Sequence, residues 1–136
     1  MLACMVRAIA ALAALAAFSS CALAADLAGR YKGDWTGSAA NGGFSISLEA
    51  AAGGAWKCEV TFTLADAEVK TKVTMVRVEG AEIEARYEFD LGGNKLQSTL
   101  KGRLVENRLE GKYQTIALAN NSPVDEGEWK ATRATP

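Results

Sequence analysis

The chain has 136 residues and a mass of 14.3 kDa, enough for one domain and too few for two. Fifteen Lys and Arg against sixteen Asp and Glu leave a formal net charge of −1, so no bulk field draws in nucleic acid or an anionic membrane. The balance of 49% hydrophobic residues with 13 Gly and 2 Pro is globular, and the absence of His removes the commonest general base, metal ligand and near-neutral proton switch.

The first segment reads as an address. Arg7 supplies the positive charge, Ala8 to Phe18 is an apolar run, and Ser19-Ser20-Cys21-Ala22-Leu23-Ala24 ends in small residues. This is the layout of a secretory signal peptide over 1–24, with cleavage after Ala24 and a single domain over 25–136. Phe18-Ser19-Ser20-Cys21 also resembles a bacterial lipobox, which sets up a second route: lipidation of Cys21, the one way in which this chain would be held at a membrane. Either route implies export, to the periplasm, the outside or the outer membrane. Loss of Arg7 takes the net charge one unit lower, and loss of Cys4 and Cys21 leaves Cys58 without an internal disulfide partner. An apolar core must then hold the domain together.

After Asp26 the sequence alternates apolar and polar residues in short stretches separated by Gly, Asn and Asp, the pattern of antiparallel strands. Strands are expected near 30–37, 43–50, 55–64, 68–79, 81–91, 94–104, 108–117 and 126–133. Their tight connections join sequential neighbours into a meander. Phe44, Ile46 and Leu48 are expected opposite Val60, Cys58 and Trp56 across an Ala51-Ala52-Gly53 loop. In 68–79 the phase changes: Val69, Thr71, Val73 and Met75 share one parity, Val76 and Val78 the other. A β-bulge near Thr74 resets it, in preference to pointing Lys70 and Lys72 inward without partners.

The middle hairpins fix their own register. A two-residue turn at Gly92-Gly93 sets Phe89 opposite Leu96, Tyr87 opposite Ser98, Ala85 opposite Leu100 and Ile83 opposite Gly102. The other face then reads Asp90 with Lys95, Glu84 with Lys101 and Glu82 with Arg103: three opposite-charge pairs behind an apolar row. A turn at Glu106-Asn107, with Asn in the positive-φ position, sets Leu104 against Leu109, Leu100 against Tyr113 and Arg103 against Glu110. Lys101 meets Lys112 there, tolerable with Glu84 on the other side of Lys101. Eight sequential strands, each apolar on one face, remove their edges by closing into an eight-stranded antiparallel up-and-down β-barrel, an all-β fold.

Asp26-Leu27-Ala28-Gly29-Arg30-Tyr31-Lys32-Gly33-Asp34-Trp35 resembles the opening motif of the lipocalins, in which Tyr-x-Gly-x-Trp begins the first strand. The resemblance implies that Trp35 closes the barrel floor under a basic residue just beyond the last strand, here Arg133. Thr36 departs from the family pattern, and a short chain without a C-terminal helix is closer to a minimal calycin-type barrel. The resemblance also implies an internal site for a small apolar molecule.

The residues supply a site of that kind. On the inward face Trp56, Phe62, Tyr87 and Tyr113 are the large aromatic candidates, and Tyr87, Ser98 and Thr115 fall at one level on three neighbouring strands. A few convergent hydroxyls in an apolar cup are the usual make-up of a small-molecule pocket, and the opposed Gly102 and Gly111 leave room above them. The bland alternative is a filled barrel whose Tyr hydroxyls reach the rim for water. Cys58, in phase with Trp56 and Val60, reads as a small buried residue. Glu82, Glu84, Glu88 and Asp90 read as a solvated face, and the Gly pairs as turns. No catalytic motif, metal-ligand spacing or cofactor motif is present. The expectation is therefore an exported, non-catalytic barrel that binds a small hydrophobic or amphipathic ligand. The alternative is an envelope-associated accessory module with a filled core, whose protein partner the sequence does not name.

Overall fold

The alternation after Asp26 becomes nine antiparallel strands in the computed structural model, which describes residues 27–134. The expected signal peptide and Cys21 lie outside them. The strands are β1 (Gly29–Gly37), β2 (Asn41–Ala50), β3 (Trp56–Leu64), β4 (Ala67–Lys70), β5 (Lys72–Glu79), β6 (Glu82–Leu91), β7 (Asn94–Val105), β8 (Arg108–Ala117) and β9 (Pro123–Arg133). A single sheet runs in the order β4-β3-β2-β1-β9-β8-β7-β6-β5. The first and last strands pair, Tyr31 opposite Arg133 and Trp35 opposite Trp129. The two outer strands, β4 and β5, are thus neighbours in sequence, with Thr71 alone between them.

The expected count of eight strands and full hydrogen-bonded closure need correction: the sheet is a nine-stranded half-barrel. The stretch expected as one strand over 68–79 divides at Thr71. Its first part pairs with β3, Val69 opposite Phe62, and its second with β6, Val78 opposite Ile83. One bent stretch of chain therefore serves both ends of the sheet, and the Thr71 hydroxyl donates to the Val60 carbonyl at 2.6 Å across the change of partner. The sheet curls far enough for Phe62 of β3 to meet Phe89 of β6 edge to face, 4.9 Å between ring centres.

The β6–β7 and β7–β8 registers are those the charge pairs require, with Tyr87 opposite Ser98 and Leu100 opposite Tyr113. On the outer face Glu82 meets Arg103 at 3.0 Å, and Glu84 lies 3.6 Å from Lys101, relieving the Lys101–Lys112 pairing. The bulge also forms at the expected place. Val73 faces Tyr87 and Met75 faces Arg86, leaving Thr74 as the extra residue, so Val73, Val76 and Val78 all turn to the core while Lys70 and Lys72 stay exposed.

Two local expectations fail. The β2–β3 pairing is two residues further on, with Phe44 opposite Phe62, Ile46 opposite Val60 and Leu48 opposite Cys58. A 3-10 turn over Ala52–Gly54, closed by the Ala51 amide on the Ala55 carbonyl, lengthens the loop; a two-residue shift preserves every side-chain face. In the β7–β8 turn Glu106 (φ 59°), and not Asn107, takes the left-handed conformation.

The core divides the half-barrel lengthwise. At one end Leu27 is fully buried (0% exposed) and its carbonyl accepts a bond from the Tyr31 hydroxyl at 2.9 Å, so the chain's entry stoppers a floor built from Ile46, Leu48, Ile83, Leu100 and Leu109. At about 25 cal/mol per Å² of apolar surface removed from water, such a floor supplies the driving force that a missing disulfide would otherwise supplement. The other end is not filled.

Candidate functional site

Four connections ring the open end: 38–40 between β1 and β2, the Ala65-Asp66 turn, the Gly92-Gly93 turn, and 118–122 between β8 and β9. Beneath them lies a cavity of about 170 Å³, with the exposed residues Ala39 and Val124 at its lip. Its walls are mostly apolar, and aromatic rings dominate them. Trp35 meets Phe62 and Tyr113 edge to face at 5.9 and 6.1 Å, Tyr87 lies 6.1 Å from Phe89, and Phe44 lies 5.1 Å from Trp129. Rings held by neighbouring rings lose little further freedom when a ligand arrives. The Trp35 indole N–H is committed to the Thr63 carbonyl at 3.1 Å, so this side chain offers a guest its apolar body.

One row crosses this apolar cup. Tyr87 faces Ser98, Ser98 faces Thr115 and Thr115 faces Asp125, four residues side by side on β6, β7, β8 and β9. Ser98 (2% exposed) and Thr115 (5%) are buried and hydrogen-bonded to each other, and Tyr87 hydrogen-bonds Ser98. Asp125 reaches the row because the ladder shifts: Thr115 pairs with Asp125 and Ile116 with Pro123, which leaves Val124 as an extra residue. Its carboxylate is held tightly. Tyr113 donates to Oδ2 at 2.7 Å, the Ser38 amide and hydroxyl to Oδ1 at 3.0 and 2.9 Å, and the Ala39 amide adds a further bond. The glycine at 37 permits this clasp, since a Cβ there would lie 2.3 Å from both the Tyr113 hydroxyl and Asp125 Oδ2.

These surroundings set protonation. Partial burial works against the Asp125 carboxylate, but the bonds from Tyr113, Ser38 and Ala39 outweigh it and bring its pKa below the usual carboxylate value. Burial pushes the Tyr87 phenol up to about 12, against a smaller lowering by Ser98. Burial, followed by the bond to Asp125 and its charge, raises Tyr113 as well. Burial and the charge of Glu59 push the Cys58 thiol to about 12, which keeps it protonated and a poor nucleophile.

The signs give a pH profile. Tyr87 and Tyr113 favour the neutral phenol in the fold, so their contribution is intact below the free value of about 10; that of Tyr87 is lost as pH rises through about 12, and that of Tyr113 as pH rises through its own raised value. Asp125 acts oppositely, with its contribution present above about 4 and lost as pH falls through its lower folded value. An alkaline titration followed by phenolate absorbance and near-ultraviolet circular dichroism should show these two of the three tyrosines ionising only as tertiary structure is lost. Normal ionisation near pH 10 with the fold intact would contradict the burial of these phenols.

Of the residues named from sequence, Phe62, Tyr87, Ser98, Tyr113 and Thr115 line the cavity. Trp56 does not: it pairs with Ala50 at the opposite end of β3, against the floor. Trp35 lines the cup and does not sit under Arg133. The Arg133 guanidinium lies over the Tyr31 ring, 5.1 Å from its centre, and donates to the Ala28 carbonyl at 2.7 Å, because the β1–β9 register places Tyr31, not Trp35, opposite it. Nor do Gly102 and Gly111 leave room. The Trp129 indole fills that space, with Cζ2 only 2.5 Å from where a Gly102 Cβ would be, and its N–H donates to the Lys112 carbonyl at 3.3 Å. Trp129 thereby forms the base of the cup.

Trp129, Asp125, Phe44 and Phe89 are among the wall residues the candidate site lacked. The parity of Trp129 in the last strand, once set opposite Trp35, carries it inward; nothing local announces the bulge that turns Asp125. No cluster of Cys, Asp or Glu with metal-binding geometry occurs among the described residues. Comparison with protein-family models, characterised proteins and solved structures found no match.

Proposed function

We propose that this is an exported small β-barrel protein that holds one small amphipathic molecule in the cup, its apolar body against the aromatic wall and its polar group on the Tyr87–Ser98–Thr115–Asp125 row. One observation carries the reading: a polar row of four residues on a wall that is otherwise apolar, at the unfilled end of a core that is otherwise packed. Buried hydroxyls cost free energy unless partnered, and a filled core would be built without them. Here they partner one another while remaining on the cavity surface, where a guest's donor or acceptor meets them.

Size restricts the guest. About 170 Å³ is close to the ~150 Å³ apolar cavity that takes up benzene, so the enclosed part of a guest is one ring or a short branched chain with a polar arm. The 1–24 leader supports export, and Cys21 supplies an alternative tether, with the same cup on the folded domain. The absence of His, the protonated Cys58 and a carboxylate committed to structural hydrogen bonds favour carriage over catalysis.

Native mass spectrometry of the protein recovered from its exported fraction should reveal a small co-purified molecule, and the same spectrum reports any acyl group on Cys21. Titration with single-ring alcohols should quench tryptophan emission saturably, since Trp35 and Trp129 form part of the wall. A protein that carries nothing and shows no saturable response to any such probe contradicts this function.

A further inference from the structure

We infer that the molecule held in the cup is a small amine, its cation seated between the Asp125 carboxylate and the aromatic wall. The inference rests on the cup being a binding site and adds the charge class of its occupant.

The first ground is an uncompensated charge. Asp125 is held by Tyr113, Ser38 and the Ala39 amide, all neutral donors, and no Lys or Arg forms an ion pair with it among the described residues. The ion pairs present, Lys101–Glu84, Arg103–Glu82 and Arg108–Glu110, join residues of the outer face. Neutral donors fix the carboxylate and favour its ionised form, but they leave its full negative charge on the wall of an apolar cavity. A cation entering at this partly exposed lip meets a negative charge already in position.

The second ground is how that charge is fixed: the bonds from Ser38, Tyr113 and Ala39 hold the carboxylate at a cavity-lining position, so a cation meets it without reorganisation. The third ground is the wall itself. Trp35 and Phe62 contribute ring surface, and such faces attract ammonium groups at distances within about 6 Å. A carboxylate-bearing guest meets the opposite situation, like charge against a fixed anion, and is excluded.

Three probes that share one skeleton separate the alternatives: phenethylamine, phenethyl alcohol and phenylacetate, titrated by calorimetry into the protein and into Asp125→Asn. The amine should bind at least about tenfold more tightly than the alcohol, and the acid should not bind measurably. In Asp125→Asn the ratio of amine to alcohol affinity should fall to about one, with near-ultraviolet circular dichroism reporting an intact cup. Equal binding of amine and alcohol to the unmodified protein, or an amine advantage that survives in Asp125→Asn, overturns the amine inference and leaves the proposed cup standing. Failure of all three probes to bind overturns both.

Discussion

Trp129→Ala should lower the stability of the domain by about 3–5 kcal/mol, the cost of removing a large buried aromatic side chain. The residue is 3% exposed, packs its indole 5.1 Å from Phe44, donates to the Lys112 carbonyl and occupies the space above Gly102. Gly102 and Gly111 contribute no side chain to the gap, and their backbones are tied into the β7–β8 ladder. The variant should therefore carry a deeper cup that reaches towards the floor, and should bind two-ring guests that the parent rejects. Urea unfolding and a titration with a two-ring alcohol measure the two effects. A loss below about 1 kcal/mol would show that Trp129 is not part of the packed base.

Gly111→Ala should cost about 3 kcal/mol, at the upper end of overpacking effects. A Cβ at this position would lie 1.8 Å from the Lys101 carbonyl oxygen and 2.6 Å from the Gly102 Cα. Both obstacles are backbone, so no rotamer change relieves them, and the β7–β8 ladder has to open where its neighbours are fully hydrogen-bonded. Close approach of strands at such glycines lets the sheet curl tightly. The exposed Gln114→Ala, three residues along the same strand, serves as the control and should stay within about 0.5 kcal/mol of the parent. Equal stability of the two variants would mean that the β7–β8 approach is looser than described.

Legibility in the sequence followed how local the determining forces were. The β6–β7 and β7–β8 registers could be read because short turns and opposite charges fix them together, so a slip of one residue would break both faces at once. The bulge at Thr74 could be read because parity changes between Val73 and Val76. Side-chain parity is blind to a slip of two, however, which is how the 3-10 turn at Ala52–Gly54 displaced the β2–β3 pairing while leaving every face correct.

The candidate site was legible to the same extent. Tyr87, Ser98 and Thr115 lie on consecutive strands, and their alignment follows from two hairpins. Trp129 and Asp125 depend on longer-range facts: the pairing of β1 with β9, and a bulge at Val124 in a stretch that reads as loop. The opposed glycines looked like empty volume because a strand pattern records which residues lack side chains, not which distant ring lies over them. The Arg133 contact missed Trp35 for a related reason, the ladder placing it four residues away, over Tyr31.

The most direct test maps where a guest sits. Nuclear magnetic resonance of the labelled protein titrated with phenethyl alcohol should move signals of Phe62, Tyr87, Ser98 and Thr115, and the indole N–H signals of Trp35 and Trp129, along one saturable curve. Signals of Leu27, Ile46 and Leu109 on the floor should stay in place. Shifts concentrated on the outer face around Lys101 and Glu84, or none that saturate, would contradict a binding cup at the open end of this half-barrel.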